Sequence, residues 1–322
     1  MKLPNIMRVA LAGVLVGCGQ QFASNPASPS MNGANSAAHT IAAEQKYFGP
    51  SWMQPGKKAG ALLYVSDSLA STVSVYTYPG KELVGTLTGL NSPQGECVDK
   101  VGNIYITDTG KEQILEYARG GTTPIATISD PNYQPVSCAI DPSTGDLAVA
   151  NILYQREGLS GNVVVYKQHG RNIRYFSLGN IYSYYFVAYD PNGNLFVDGL
   201  TEQAPFGTFQ FAELPHRSGT MRLIALSGGT IAFPGDVQWD GTHITVGDQK
   251  NAVIYQTAGS KIVGSTPLTG SSDIVGYVID AGTVIGADGG NGSVEFYPYP
   301  AGGKSTGQIT GFEEPSGAVV SP

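Results

Sequence analysis

The sequence predicts an all-β fold, a six-bladed β-propeller with four antiparallel strands per blade, on three observations. The 322 residues hold 43 glycines, 20 prolines and 18 tyrosines, and only 13% are charged. Turn formers and β formers in that mixture disfavour a helical chain. One strand signature returns six times at intervals of 40–49 residues, a period typical of propeller blades. The repeat is also circular in phase. It opens on a second strand and closes on a spare first strand, as a closed ring requires and a linear β-solenoid does not.

The chain divides into residues 1–18, 19–58 and 59–322. At the start, Lys2 and Arg8 precede an apolar run from Val9 to Val16. The run is too short for a lasting membrane span and suits a signal peptide. It ends in Leu15-Val16-Gly17-Cys18, which resembles the bacterial lipobox. That resemblance implies lipidation of Cys18 and a lipid anchor in the cell envelope, in the outer membrane of a host that has one. An ordinary secretory signal with a coincidental cysteine is the alternative. Residues 19–58 are rich in Ser, Asn, Ala, Gln and Pro and are expected to form a flexible tether with a reach of roughly 35 Å.

Over residues 59–322 each predicted blade has the same parts. Its second strand ends in an acidic, amide or small residue: Asp67, Asp108, Asn151, Gly199, Asp248 and Asp288. A first strand with a small-residue start precedes it, as in Gly95–Asp99, Ser137–Asp141 and Gly276–Asp280. Turns such as Asp190-Pro191-Asn192-Gly193 join the two, which is hairpin chemistry. A third strand carries a recurrent tyrosine (Tyr76, Tyr117, Tyr166, Tyr255, Tyr297), expected to pack between blades. A weaker fourth strand follows. The spare segment Gly317–Ser321 should complete the first blade.

The run Pro93-Gln94-Gly95-Glu96-Cys97-Val98-Asp99, followed by Gly102-Asn103-Ile104-Tyr105-Ile106-Thr107-Asp108, resembles the NHL repeat. The resemblance extends over roughly residues 60–322 and is weakest in the fourth blade. It implies a binding platform. More distantly similar six-bladed propellers, the gluconolactonase and regucalcin-like lactonases, imply the alternative of a metal-dependent hydrolase with carboxylates near the axis.

Two candidate sites follow. The connections after Asn151 and Gly199 are longer than their counterparts, and long loops on a rigid scaffold commonly carry binding. Tyr154, Arg156, Glu157, Glu202 and Phe206 lie in them, and Tyr184 and Tyr185 in the neighbouring lead-in. These seven residues form the expected ligand surface. The alternative is that the loops only cover blade edges. Glu96, Asp108, Asn151, Asp236 and Asp288 form the expected metal set, because converging oxygens suit Ca²⁺. The competing reading is that a repeated Asp before a turn accepts backbone hydrogen bonds. No other cofactor is expected.

Cys97 and Cys138 lie in the first strands of adjacent blades. They face each other either as a disulfide or as two buried thiols. The formal net charge is −7 without a Lys/Arg cluster, which argues against nucleic-acid binding. No Gly-x-Ser-x-Gly elbow or zinc spacing is present, so the leading expectation is a non-enzymatic monomer. It would be exported, membrane-bound only through its lipid, and would bind a protein, glycan or small molecule.

Overall fold

The computed structural model describes residues 49–57, 60–154, 159–167, 172–204 and 206–322. Cys18, Arg156 and Glu157 fall outside these residues, as do the signal and most of the tether. The described chain forms six antiparallel sheets, each one blade.

Blade 1 is built from both ends of the chain. Pro315–Ser321 is its innermost strand and pairs with Ala61–Asp67, from Leu62 opposite Ser321 to Asp67 opposite Pro315. Thr72–Tyr78 and Leu83–Leu87 complete it. The next four blades start at the inner strands Pro93–Val98, Tyr133–Ile140, Ser183–Tyr189 and Pro234–Trp239, and the sixth at Ile274–Asp280. Trp52–Met53, expected in the tether, instead adds a fifth strand outside blade 1, with Trp52 opposite Thr86 and Met53 opposite Gly85. The propeller therefore begins several residues before position 59.

The small residues at the starts of inner strands have a steric reason. A Cβ on Gly95 would stand 2.6 Å from the Val136 carbonyl oxygen and 2.7 Å from Ser137 Cα of the next blade. One on Gly317 would meet the Gln94 carbonyl at 2.3 Å. Inner strands of neighbouring blades thus approach closer than side chains allow, and glycine is retained although it weakens a strand. All six inner strands also slip register against their second strands near this point, between Pro93 and Glu96 in blade 2 and at the equivalent place elsewhere. Such bulges increase twist and re-aim side chains.

The core lies between blades. Leu62 and Tyr64 of blade 1 pack with Ile104 and Tyr117 of blade 2 in one cluster. Of the recurrent third-strand tyrosines, Tyr76, Tyr117, Tyr166 and Tyr297 are buried and Tyr255 is half-buried. Cys97 and Cys138 form a disulfide, with Cα atoms 5.6 Å apart, that ties the inner strands of blades 2 and 3.

Candidate functional site

Strand alternation gives the ring two faces. The second-to-third-strand loops and the lead-ins to inner strands share the loop face. The first-to-second and third-to-fourth turns share the hairpin face.

Around the loop face, four blades carry one device. The aspartate ending the second strand accepts hydrogen bonds from the backbone leading into the inner strand. Asp67 takes the Glu313 and Glu314 N–H groups at 2.7 and 3.1 Å. Asp108 takes Asn91 N–H at 2.6 Å, Asp248 takes Ala232 at 2.8 Å, and Asp288 takes Ser272 and Asp273 at 2.9 and 3.0 Å. In blades 5 and 6 an asparagine three residues on, Asn251 or Asn291, adds both its backbone and its side-chain N–H to the same carboxylate. The loops these aspartates hold are four residues each: 68–71, 109–112, 249–252 and 289–292.

Blades 3 and 4 lack this clamp. Asn151 donates its side-chain amide to Asn162 at 3.0 Å instead. Gly199 has no side chain, and a Cβ there would stand 2.3 Å from the Ser183 carbonyl. In blade 3 the expected long loop is mostly strand. Leu147–Tyr154 and Ser160–Lys167 run on past Asn151, with Leu153 opposite Ser160 and Tyr154 opposite Tyr133. In blade 4 residues 201–208 remain a loop, closed at its base by Thr201 N–H to the Thr208 carbonyl at 3.1 Å and Thr208 N–H to Thr201 Oγ1 at 3.0 Å. Phe206 at its tip is 69% exposed, and Leu159 on the adjoining hairpin is 52% exposed. Glu202 is exposed and Tyr182 half-buried beside them, and Gly161 N–H donates to the Tyr182 carbonyl at 2.8 Å, linking the two blades.

Tyr184 and Tyr185 do not join this rim. Tyr184 is buried in the core between blades 3 and 4, and its hydroxyl accepts Leu178 N–H at 2.5 Å. Tyr185 is buried against Phe233, ring to ring at 5.7 Å. Inner-strand residues at a bulge turn inward, so of the expected surface Glu202 and Phe206 stay on the rim, where Tyr182 and Leu159 join them.

The expected metal set does not assemble either. Asp108 and Asp288 are taken up by the clamps, and Asn151 donates its amide to Asn162 while its Oδ1 has no partner. Only Glu96 and Asp236 share a space, a cavity of about 10 Å³ between inner strands that also touches Ser137, Gln238 and Ser316, about the size of one water. Among the described residues, no three His, Cys, Asp or Glu side chains come together as a metal-binding group. The Ser66 hydroxyl donates to the Gln94 carbonyl and, close to Glu96, opposes part of the burial effect on its carboxyl. Burial drives the Glu96 carboxyl well above its ordinary pKa, and the charge of Asp236 adds to this. Burial also raises Asp236, to about 7, against the opposing Tyr277 and Val237 N–H groups and Gln238. Asp198 completes the group. It is fully buried, accepts Phe186 N–H at 2.9 Å, and is pushed well up by burial and by Asp236. The sequence offered one cue to it: this acid falls one residue before the repeat's usual position, so it points to the opposite side of its strand.

A propeller of this kind has known relatives. The chain is 31% identical to human NHL-repeat-containing protein 4 over 108 residues, which is 32% of this chain and 83% of that protein. The chain belongs to the NHL-repeat proteins. No family model matches it. Among solved structures, the propeller resembles a chain of the nidogen/laminin complex (TM-score 0.67, 13% identity), covering 82% of this chain and 99% of that one. It also resembles a Bacteroides caccae protein of unknown function (TM-score 0.62, 16% identity, 81% and 99% covered). Streptogramin B lyase matches at a TM-score of 0.52 and 14% identity, over 69% of this chain and 70% of the lyase. At such identities these structures share the fold with this NHL-repeat protein.

Proposed function

We propose that this NHL-repeat protein is an extracytoplasmic binding propeller, lipid-anchored through Cys18, that presents the loop-face rim of blades 3 and 4 to a protein partner. The observation that carries the reading is the local departure from the clamped repeat. Four blades hold short loops by an aspartate, whereas the two adjacent unclamped blades raise a hairpin and a longer loop that expose Leu159 and Phe206. Exposed aromatic and aliphatic side chains beside polar ones resemble the anchors of protein interfaces. The fold likeness to a chain of the nidogen/laminin complex supports a protein as the partner.

A photo-crosslinking amino acid at position 206, compared in intact envelopes with one at position 144 on the hairpin face, tests the reading. A discrete adduct from 206 and none from 144 supports it. Equal or absent labelling refutes it. Incorporation of labelled fatty acid, abolished by Cys18→Ser, tests the anchor separately.

A further inference from the structure

The hairpin face holds a different kind of site, in the cleft between blades 3 and 4 and at the far end of those blades from the proposed partner rim. The cleft has a volume of about 130 Å³. Its floor is apolar, made by Val165 and Phe176 of blade 3 and Leu195 and Leu214 of blade 4. An enclosed apolar cavity of roughly 150 Å³ accepts benzene, so by size the apolar floor of this more open cleft suits one small ring or a branched alkyl group.

The rim is charged and its charges are unevenly paired. Lys167 bonds Asp146 at 3.3 Å. Asp141 is satisfied by its own turn, accepting Ser143 N–H at 2.8 Å, Ser143 Oγ at 2.7 Å and Thr144 Oγ1 at 2.9 Å. Those bonds outweigh its burial and leave its carboxyl below the ordinary range. Arg174 and Arg217 also line the cleft, and both are exposed. Among the described residues neither guanidinium has an ion pair or hydrogen bond.

Arg174 is nonetheless placed. The Arg174 guanidinium lies 5.0 Å from the Phe176 ring centroid, a cation–π distance. His216, beside Arg217, is fixed by its N–H to Asn194 Oδ1 at 2.9 Å. Its ring lies over Gly193, where an added Cβ would come within 2.3 Å of Nδ1. The lining thus carries three cations, Lys167, Arg174 and Arg217, against two satisfied carboxylates, on a chain whose net charge is −7.

The geometry points to a binding site for a carboxylate that carries a small apolar body. The body would sit on Phe176, Leu195 and Leu214, and the carboxylate would meet the guanidinium donors of Arg174 and Arg217, whose planar fork matches its geometry. The apolar floor distinguishes such a ligand from a bare inorganic anion.

The test is a ligand-observed NMR titration of the full chain with benzoate, benzyl alcohol and inorganic phosphate. Benzoate should bind in the millimolar range, at least tenfold tighter than either comparator. Arg174→Gln and Arg217→Gln should each weaken it about fivefold or more. Both positions are exposed, so the variants should melt like the parent. Phe206→Ser, on the opposite face, should leave benzoate binding unchanged, which separates this site from the proposed partner rim. The proposal is overturned by no benzoate binding, by equal binding of benzyl alcohol or phosphate, or by unchanged affinity in both arginine variants.

Discussion

Blades 1, 2, 5 and 6 and blades 3 and 4 are the same supersecondary unit held at the loop face in two ways. In the first group a buried aspartate binds the lead-in to the inner strand and a four-residue loop follows. In the second, Asn151 and Gly199 occupy that position, and the chain beyond them is free to extend as a hairpin or a loop. The difference shows that the recurring acid is a structural clamp whose omission releases a blade for elaboration. The same clamps engage Asp108 and Asp288 of the expected calcium set, whose oxygens accept backbone N–H groups at 2.6–3.0 Å.

The disulfide lies on the border between the two groups, and breaking it should have the largest effect. Closing the 41-residue separation is worth about 4 kcal/mol in the chain-entropy model. Cys97→Ser with Cys138→Ser should therefore lower unfolding stability by about that amount in urea titrations. If the bond offsets the missing clamps, hydrogen exchange in the double variant should rise chiefly in blades 3 and 4. A uniform rise across six blades would break the comparison.

The clamp itself comes next. Asp288→Ala would orphan the Ser272 and Asp273 N–H groups and should cost about 2–3 kcal/mol, since an unsatisfied buried donor costs about 1–3 kcal/mol. Gly199→Asp should not create a fifth clamp. The Ser183 carbonyl occupies the space of the new Cβ, so this variant should lose stability. A gain would show that blade 4 lacks the clamp for no steric reason.

Ring, blade number, closing strand and clamp position were legible in the sequence because period and phase are properties of the chain alone. The site was only partly so. Phe206 and Glu202 could be placed because loop length is readable. Tyr184 and Tyr185 could not, because a bulge reverses which residues of an inner strand face the core, and no residue signals a bulge by its identity. The blade 3 connection looked like a loop because strand length depends on pairing partners, here Tyr133 opposite Tyr154. The hairpin-face cleft left no trace, since its parts come from five strands and three turns of two blades.

A smaller effect concerns pH. Glu96, Asp198 and Asp236 all have raised pKa values in the folded state, so folding favours their protonated forms. That stability is full below roughly pH 4, the unfolded carboxylate range. It is lost as pH rises toward about 7, the folded value of Asp236. Glu96→Gln removes a buried carboxyl whose pKa folding raises and should stabilise the chain by about 1 kcal/mol at pH 8, with no gain at pH 4. A gain independent of pH would mean that folding does not raise the Glu96 pKa.

The smallest expected change in stability carries the functional half of the comparison. If the unclamped loop of blade 4 serves a partner rather than the fold, its tip should be dispensable for folding. Phe206 is 69% exposed, and the loop base is closed by Thr201 and Thr208 without it. Phe206→Ser should change urea stability by no more than about 0.5 kcal/mol, the usual bound for exposed positions. Asp108→Ala, at the corresponding end of a clamped strand, should cost several times that, because Asn91 N–H and the Gln113 amide both donate to it. Equal losses from the two substitutions would mean that the blade 4 loop is held in place as firmly as its clamped counterparts, and the elaborated rim would then belong to the scaffold.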